Sequence, residues 1–453
     1  MTMASNRNLF QMIKFALIYS LLNHVSQHNT SAFIAKPSID KFRFSSIRPS
    51  KRSKTNLNME ASSVLIIGLN PALQKRFVLA PNTDLIPGDV HRAASIQSGV
   101  GGKGQDVFTT LSCLSDASDS KPISVSQFIG SGAEGDSVLQ LMNERSFDDS
   151  FTVRTKSPIR TCTTIVATEH STELVEPSGL VEADELSDLL SRIEDKQMNA
   201  LCIMGSMPPG CPSNTYANIV KKMVQSDDDN SKPYYCLIDS VIGLDEILNE
   251  LERNKTKNIN AALKINISEL AKLGKVDSEL NSLNSDEEKV SHAVKAFKSA
   301  YSKSESVLKY IAITAGKDPA FLVKFNSEND PDIWKLSIPN LVESNPGQTL
   351  YPIGAGDSVA SGTLAAWLEL LVDNKSAGAS ASILDSSIKD SILSIQQSYG
   401  KNVDTFACAF AFGLACGSAS CLQEENSVLD KSDVIKLFSE MCHPTKVVSA
   451  HLN

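Results

Sequence analysis

Short apolar runs that alternate with longer stretches of helical spacing narrow the fold of this chain more than any other feature. Val64–Leu69, Ile123–Phe128, Leu201–Met204, Tyr235–Ile238, Ala262–Ile265 and Ile311–Thr314 are too short for buried helices, and they predict buried strands. Between them, Val107–Leu114, Ser137–Glu144, Asp184–Ile193, Thr215–Val224 and Leu244–Leu251 repeat apolar residues at helical intervals. Strands and helices in this order bury each other when the strands run parallel and the helices cover both faces. An α/β fold with a mostly parallel sheet is therefore expected.

Two stretches break the alternation. Arg76–Ser95 and Arg160–Glu176 hold β-type runs ("RFVLA", "VHRAASI", "TCTTIVATE", "TELVEP") with no helix between them. They predict a small accessory sheet, standing off the main one and able to cover a site as a lid. The chain closes in helices at Ser358–Leu371, Thr405–Cys421 and Lys431–Met441, and residues 373–401 read as a Ser-rich insertion partly in loop form. No internal repeat is visible.

The nine cysteines are scattered without a C-x-x-C pair and without clustered histidines. That pattern excludes a disulfide framework and a structural zinc site, and suits a reducing compartment. Charge is unevenly spread. Residues 1–58 hold nine Lys/Arg and one acid, so the chain's total of −9 leaves −17 on the remainder. A body that acidic does not bind nucleic acid or an anionic membrane through general charge, so small-molecule partners are expected.

The first 59 residues read as an address rather than a fold. Arg7 and Lys14 precede the apolar run Phe15–Leu22, which is too short to span a bilayer and long enough for a signal peptide. Thr30 and Ala32 suit a cleavage site before Phe33, and the stretch that follows is basic, Ser-rich and nearly free of acid, as transit peptides are. The combination, with Phe at "TSAFIAKP", resembles the bipartite presequence of algae with secondary red plastids. A plastid location is expected, with residues 60–453 as the working domain and no membrane contact in the mature form. A basic tail without a targeting role is the other reading, and translation from Met59 would leave the protein in the cytoplasm.

The chemistry concentrates in "PIGAGDSVASGTLAAWL" (352–368). Gly354, Ala355 and Gly356 let backbone N–H groups approach an anion, just ahead of a helix whose N-terminus favours negative charge. Asp357 at the helix start has a plain structural role as a cap. The small residues before it, and Ser361 and Gly362 after it, suit a carboxylate aimed at a substrate hydroxyl beside a phosphate in transfer. A second cluster, "SGVGGKGQDV" (98–107), contains Gly99, Gly101 and Gly104 in a G-x-G-x-x-G. A dinucleotide loop must directly follow the first strand, which ends about thirty residues earlier. A Walker A loop needs Ser or Thr after Lys103, where Gly104 stands.

Both clusters resemble the two signatures of the ribokinase-like, or PfkB, carbohydrate kinases: G-A-G-D for the second and G-G-K-G-x-N for the first. Three further stretches fall in register: "GLNPALQK" (68–75), "MGSMPPGCP" (204–212) and "LKINISEL" (263–270). They are most similar to the branch of 1-phosphofructokinase and tagatose-6-phosphate kinase. "AITAGKDPAFLV" (312–323) resembles the family's nucleotide-side loop. The resemblance covers about 360 residues. It implies ATP and Mg²⁺ as cofactors and Asp357 as general base. Gly354, Ala355 and Gly356 would stabilise the transferred group. Gln74, Gly101, Gly102, Lys103, Asp106 and Arg160 would face a sugar or sugar phosphate. Lys264, Asn266, Thr314 and Gly316 would face the nucleotide, and Asn266 with Glu269 would hold the metal through water. Lid strands in this family often pair between subunits, so a homodimer is also implied.

Four positions depart from the family pattern. Gln74 replaces an Asp that holds sugar hydroxyls, and Asp106 replaces the Asn of G-G-K-G-x-N; these bear on sugar identity. Pro319 and Tyr351 stand at altered positions assigned to the nucleotide end. The rival reading is a catalytically weak or inactive fructokinase-like scaffold of the plastid, which the altered sugar contacts suit. Asp357, Asn266 and Glu269 favour the enzyme, since a scaffold has no chemical need of them.

Overall fold

Val64 and Ile66 face one side of a sheet and Leu65 and Ile67 the other, and all four are fully buried. The uninterrupted apolar runs follow from this, because a strand covered on both faces has no polar side to alternate. The computed structural model describes residues 64–115, 123–167, 170–194, 198–225, 233–326, 331–371, 382–400, 403–441 and 443–447. The presequence and residues 373–381 and 401 of the Ser-rich stretch lie outside them.

The strands are β1 (Val64–Ile67), β2 (Ala72–Leu79), β3 (Ala93–Gly101), β4 (Ile123–Ser131), β5 (Thr152–Pro158), β6 (Arg160–Val166), β7 (Ser171–Val175), β8 (Ala200–Met204), β9 (Tyr234–Asp239), β10 (Ile259–Asn266), β11 (Leu308–Ala315), β12 (Asp318–Lys324), β13 (Asp332–Leu336) and β14 (Thr445–Lys446). Ten of them form one sheet in the order β14-β13-β12-β11-β10-β9-β8-β1-β4-β5. From β11 to β5 every pairing is parallel, whereas β12, β13 and β14 add on antiparallel. Each of the six predicted strands is present, lengthened by a residue or more in every case but β1.

Helices of eight residues or more are α1 (Lys103–Leu114), α2 (Ala133–Asn143), α3 (Ala183–Ile193), α4 (Thr215–Gln225), α5 (Leu244–Arg253), α6 (Ile267–Gly274), α7 (Asp286–Ala300), α8 (Ala355–Leu371), α9 (Ser386–Tyr399), α10 (Thr405–Ser420) and α11 (Lys431–Glu440). One apolar layer joins the sheet to α1, α2 and α8–α11, and the other joins it to α3–α7. The Ser-rich stretch is more regular than its composition suggests. α9 occupies 386–399 and buries Ile388, Ile392 and Tyr399. No helix among the described residues is long and apolar enough to cross a membrane.

The four remaining strands form the separate sheet β3-β2-β6-β7. Its boundaries differ from the expected ones. β2 begins at Ala72 and β3 runs to Gly101, while residues 80–92 are turns and loop. The glycine cluster thus ends a lid strand and opens α1, with Gly102 at φ 114° as the hinge between them. A side chain at Gly102 would also meet Gln105 Oε1 at 2.4 Å and Pro71 Cα at 3.0 Å.

Candidate active site

Parallel strands release their loops at their C-terminal ends, and in open α/β sheets ligands bind there. A cleft of about 290 Å³ opens at that edge, lined by Asn70, Lys103, Arg160, Asp239, Lys264 and Glu269 among others. Asp239, the last residue of β9, is 2% exposed and anchors the floor. Its Oδ1 accepts from Lys103 Nζ at 2.8 Å and its Oδ2 from Lys264 Nζ at 2.7 Å. Burial pushes the Asp239 carboxyl up, but Lys264 and Lys103 outweigh it and hold it below its ordinary value. Burial likewise pulls the Lys103 ammonium down, and Asp239, Asp357 and Glu269 together hold it above its ordinary value.

Asp239 went unrecognised in the sequence, where "YYCLIDS" reads as a strand and a turn. The available signal was its place, an acid at the C-terminal end of a buried parallel strand.

Asp357 lies in the first turn of α8, 9% exposed. Burial pushes its carboxyl up to about 7, and Asp239 adds to that while Lys103 and Lys264 oppose it. Lys264 Nζ also stands 3.2 Å from where a side chain at Gly356 would begin, so a cation sits against the α8 N-terminus. Gly354 takes φ 84°, and a Cβ there would meet Ser427 Oγ at 2.4 Å. The Ser427 hydroxyl donates to Gly354 O at 3.1 Å, pinning the loop. The Ala355 N–H donates to Pro352 O at 3.2 Å. An anion at the helix start would therefore rest chiefly on Gly356.

The other expected residues fall in distinct places. Arg160 lines the cleft and donates to Asn70 O at 2.8 Å and Pro71 O at 3.4 Å. Asn266 and Glu269 form a capping box at the start of α6: Glu269 N donates to Asn266 Oδ1 at 2.8 Å, and Asn266 N to Glu269 Oε2 at 3.3 Å. Asn266, Thr314 and Gly316 line a neighbouring hollow of about 520 Å³, with Asp286, Lys289 and Phe321. Asn266 and Thr314 are direct cross-strand partners there. Asp106 is buried beside Asp357. Gly101 pairs with Ala72 at the end of the lid sheet.

Gln74 is apart from the cleft. It lies on the inner face of the lid, where its Nε2 donates to Thr164 Oγ1 at 2.6 Å, beside a hollow of about 340 Å³ shared with Arg76, Gln97 and the 424–426 loop. Tyr351, assigned to the nucleotide end, is instead a lid contact. The Arg76 guanidinium stands 5.3 Å over its ring, and its hydroxyl reaches Glu424 at 3.5 Å. The displacement follows from Arg76, a buried cation that needs an aromatic face or an acid beside it.

The sequence profile of the pfkB family carbohydrate kinases matches residues 74–427. This chain belongs to that family. Solved structures agree on the fold. Phosphofructokinase-2 of Escherichia coli, in complex with potassium, aligns at a TM-score of 0.57 and 19% identity, over 83% of this chain and 98% of that one. Ribokinase of Giardia lamblia aligns at 0.59 and 14%, over 84% and 100%. A protein described as a possible 1-phosphofructokinase of Thermotoga maritima aligns at 0.56 and 15%, over 85% and 100%. The architecture is ribokinase-like, with the four-stranded sheet as its lid.

PfkB kinases generally use ATP and Mg²⁺, and the donors present fit both. Among the described residues no group of three His, Cys, Asp or Glu stands ready for a metal. Mg²⁺ suits such a place, because it keeps several waters and relies on one or two carboxylates plus substrate phosphates. Asp239 is committed to two lysines, so Glu269, with Asn266 beside it, would hold the ion through water.

Proposed function

We propose that this chain transfers the γ-phosphoryl group of ATP to a hydroxyl of a sugar phosphate, with Asp357 as general base. The observation that carries the reading is the buried Asp357 carboxyl at a glycine-led helix N-terminus, beside a cleft holding Lys103, Lys264 and Arg160; burial pushes that carboxyl up to about 7. A base works best when its pKa lies near the operating pH. Asp357 takes the proton of the attacking hydroxyl, the hydroxyl oxygen bonds to the γ-phosphorus, and the bond to the β–γ bridging oxygen breaks to release ADP. Gly356 N–H and Lys264 stabilise the charge on the transferred group. Bound Mg²⁺ supplies charge neutralisation on the phosphates. Lys103 and Arg160 orient the substrate's own phosphate, and the lid excludes water.

One observation favours the scaffold reading: Lys103 is already paired with Asp239, and Gln74 with Thr164. A single experiment separates the two. The full chain is incubated with Mg²⁺·ATP and a panel of sugars and sugar phosphates, and ADP release is followed. Lys103→Ala should raise KM for the phosphorylated substrate by roughly ten- to hundredfold, because a charge-assisted contact contributes about 1.5–3 kcal/mol. Asp239 keeps Lys264 in that variant, so the floor of the cleft stays paired. ATP binding without turnover of any panel member would favour the scaffold. Turnover of a plain sugar with Lys103→Ala silent would remove the sugar-phosphate assignment.

A further inference from the structure

α1 and α8 run side by side in a fixed register. Thr110 Oγ1 and Ser358 Oγ lie 3.0 Å apart, and Ser361 Oγ donates to Val107 O at 3.3 Å. Asp106 precedes Val107, and Asp357 precedes Ser358. This register brings the two carboxyl groups together, close enough for one to donate to the other when it carries a proton. Both are buried, at 6% and 9% exposure. Two carboxylates cannot both stay ionised at hydrogen-bonding distance in a buried site, and a proton held between them resolves the conflict.

The surroundings decide which group carries it. Asp357 faces Lys103 of α1 and Lys264 of β10, with Asp239 of β9 opposing, and Cys202 of β8 lies nearby. Asp106 faces acids, Asp357 of α8 and Glu173 of β7, whose effect the Ser427 hydroxyl only partly offsets, and Cys162 of β6 lies nearby. The lysine on its own helix, Lys103, gives its ammonium to Asp239. The ionised form is thus better tolerated at Asp357, where two lysines offset part of the burial, than at Asp106.

We propose that Asp106 and Asp357 share one proton that resides on Asp106, so that Asp106 positions the base by donating a hydrogen bond to it. Asp106 then does as a carboxylic acid what an amide would do at that position, and it does so only while it keeps its proton. The base keeps its free lone pairs for the substrate hydroxyl. Burial and the negative neighbours push Asp106 well above the usual carboxylate range. The consequence is a second pH limit. Below about 7 the base itself takes up a proton and turnover falls. At alkaline pH Asp106 loses its proton, the donated bond is lost, and two negative charges face each other.

Because the kinetic consequence rests on the kinase reading, one of the two measurements does not need turnover. Carboxyl carbon-13 spectra of the full chain, labelled at aspartate and taken at about pH 8.5, where Asp357 is ionised, should show one buried acid still protonated, and Asp106→Asn should remove that signal. Asn matches Asp in shape and is neutral like the protonated acid, so the variant keeps the packing. Where a substrate is turned over, wild-type kcat/KM should fall on the alkaline side by roughly tenfold per pH unit, as for a single titrating group. Asp106→Asn should lack that arm and keep the acid one. Lys103 does not mimic the effect, since its ammonium is held above its ordinary value. If every buried aspartate reads ionised at that pH, or if the alkaline arm of Asp106→Asn superimposes on that of the wild type, the shared proton is ruled out. If no substrate is turned over, the carboxyl signal alone decides: its presence in the wild type and loss in the variant supports the pair, and its absence overturns it.

Discussion

Asp357 is unstable in place when ionised, and that is measurable without a substrate. In the unfolded chain its carboxyl titrates at the ordinary value of 3.8, and in the fold at about 7. Between those values the unfolded state binds fewer protons, so rising pH favours unfolding. An Asn carries no such cost. Asp357→Asn should therefore gain thermal stability relative to the wild type progressively from about pH 4 to about 7. Its turnover should drop by roughly 10²–10⁴-fold, the usual share of a general base. Melting curves across that pH window, with initial rates at saturating substrate, test both halves. A gap that fails to widen with pH would mean the carboxyl is solvated. The residues of this centre were unevenly legible. Asp357 and Lys103 stand in glycine-rich surroundings that single them out in the sequence. Asp239 does not, because its importance comes from two lysines that are distant in sequence and meet it only in the fold.

The helix that carries Asp357 is set by its contact with α10, and the contact is made by glycines. A side chain at Gly413 would meet Thr363 Oγ1 at 2.1 Å and Val359 O at 2.5 Å. One at Gly417 would meet Val359 Cγ2 at 2.5 Å and Ala355 O at 2.9 Å. Both helices are buried almost throughout, so neither has room to shift outward. Gly417→Ala presses on the first turn of α8, where Asp357 and Gly356 must hold their positions. It should cost about 1–3 kcal/mol, as overpacked cores do. It should also lower kcat more than it raises KM, seen by denaturant unfolding together with steady-state kinetics. Normal turnover in a destabilised variant would mean the α8 N-terminus is held by Ser427 and not by α10. These two helices, and the parallel strands from β11 to β4, were legible as apolar runs, whereas the parallel edge strand β5, "TVRTKSP", was not. The antiparallel strands β12 and β13 were not, because "KDPAFLV" reads equally well as a loop continuing from β11. α9 was hidden by its serines, since its stripe of Ile388, Ile392 and Tyr399 is recognisable only against the layer it covers.

At the scale of the whole molecule, the lid has two faces with opposite characters. Gln74, Arg76, Cys162 and Thr164 share the inner one and are all buried. Pleating puts Phe77, Ile96, Ile165 and Leu174 on the other face. Phe77 pairs directly with both Ile96 and Ile165, and Thr163 with Leu174. Ile96 is 62% exposed and Leu174 56%, on the two edge strands. An exposed apolar face on a four-stranded sheet with two open edges is an aggregation hazard unless something covers it. A second copy meeting it face to face is the self-complementary solution, since the same patch then serves both partners. We propose on this ground the homodimer through the lid that the family resemblance implies. Placing Glu at both Ile96 and Leu174 puts like charges across the two-fold axis and should convert a dimer to a monomer in sedimentation. The inner face should respond as well. Arg160 opens β6 and lines the cleft, so a lid freed from its partner should raise KM for the sugar phosphate while leaving ATP binding in place. A wild-type chain that sediments as a monomer at working concentrations would leave the apolar face without this explanation. A monomeric double variant with unaltered KM would show that the lid closes over the cleft unaided.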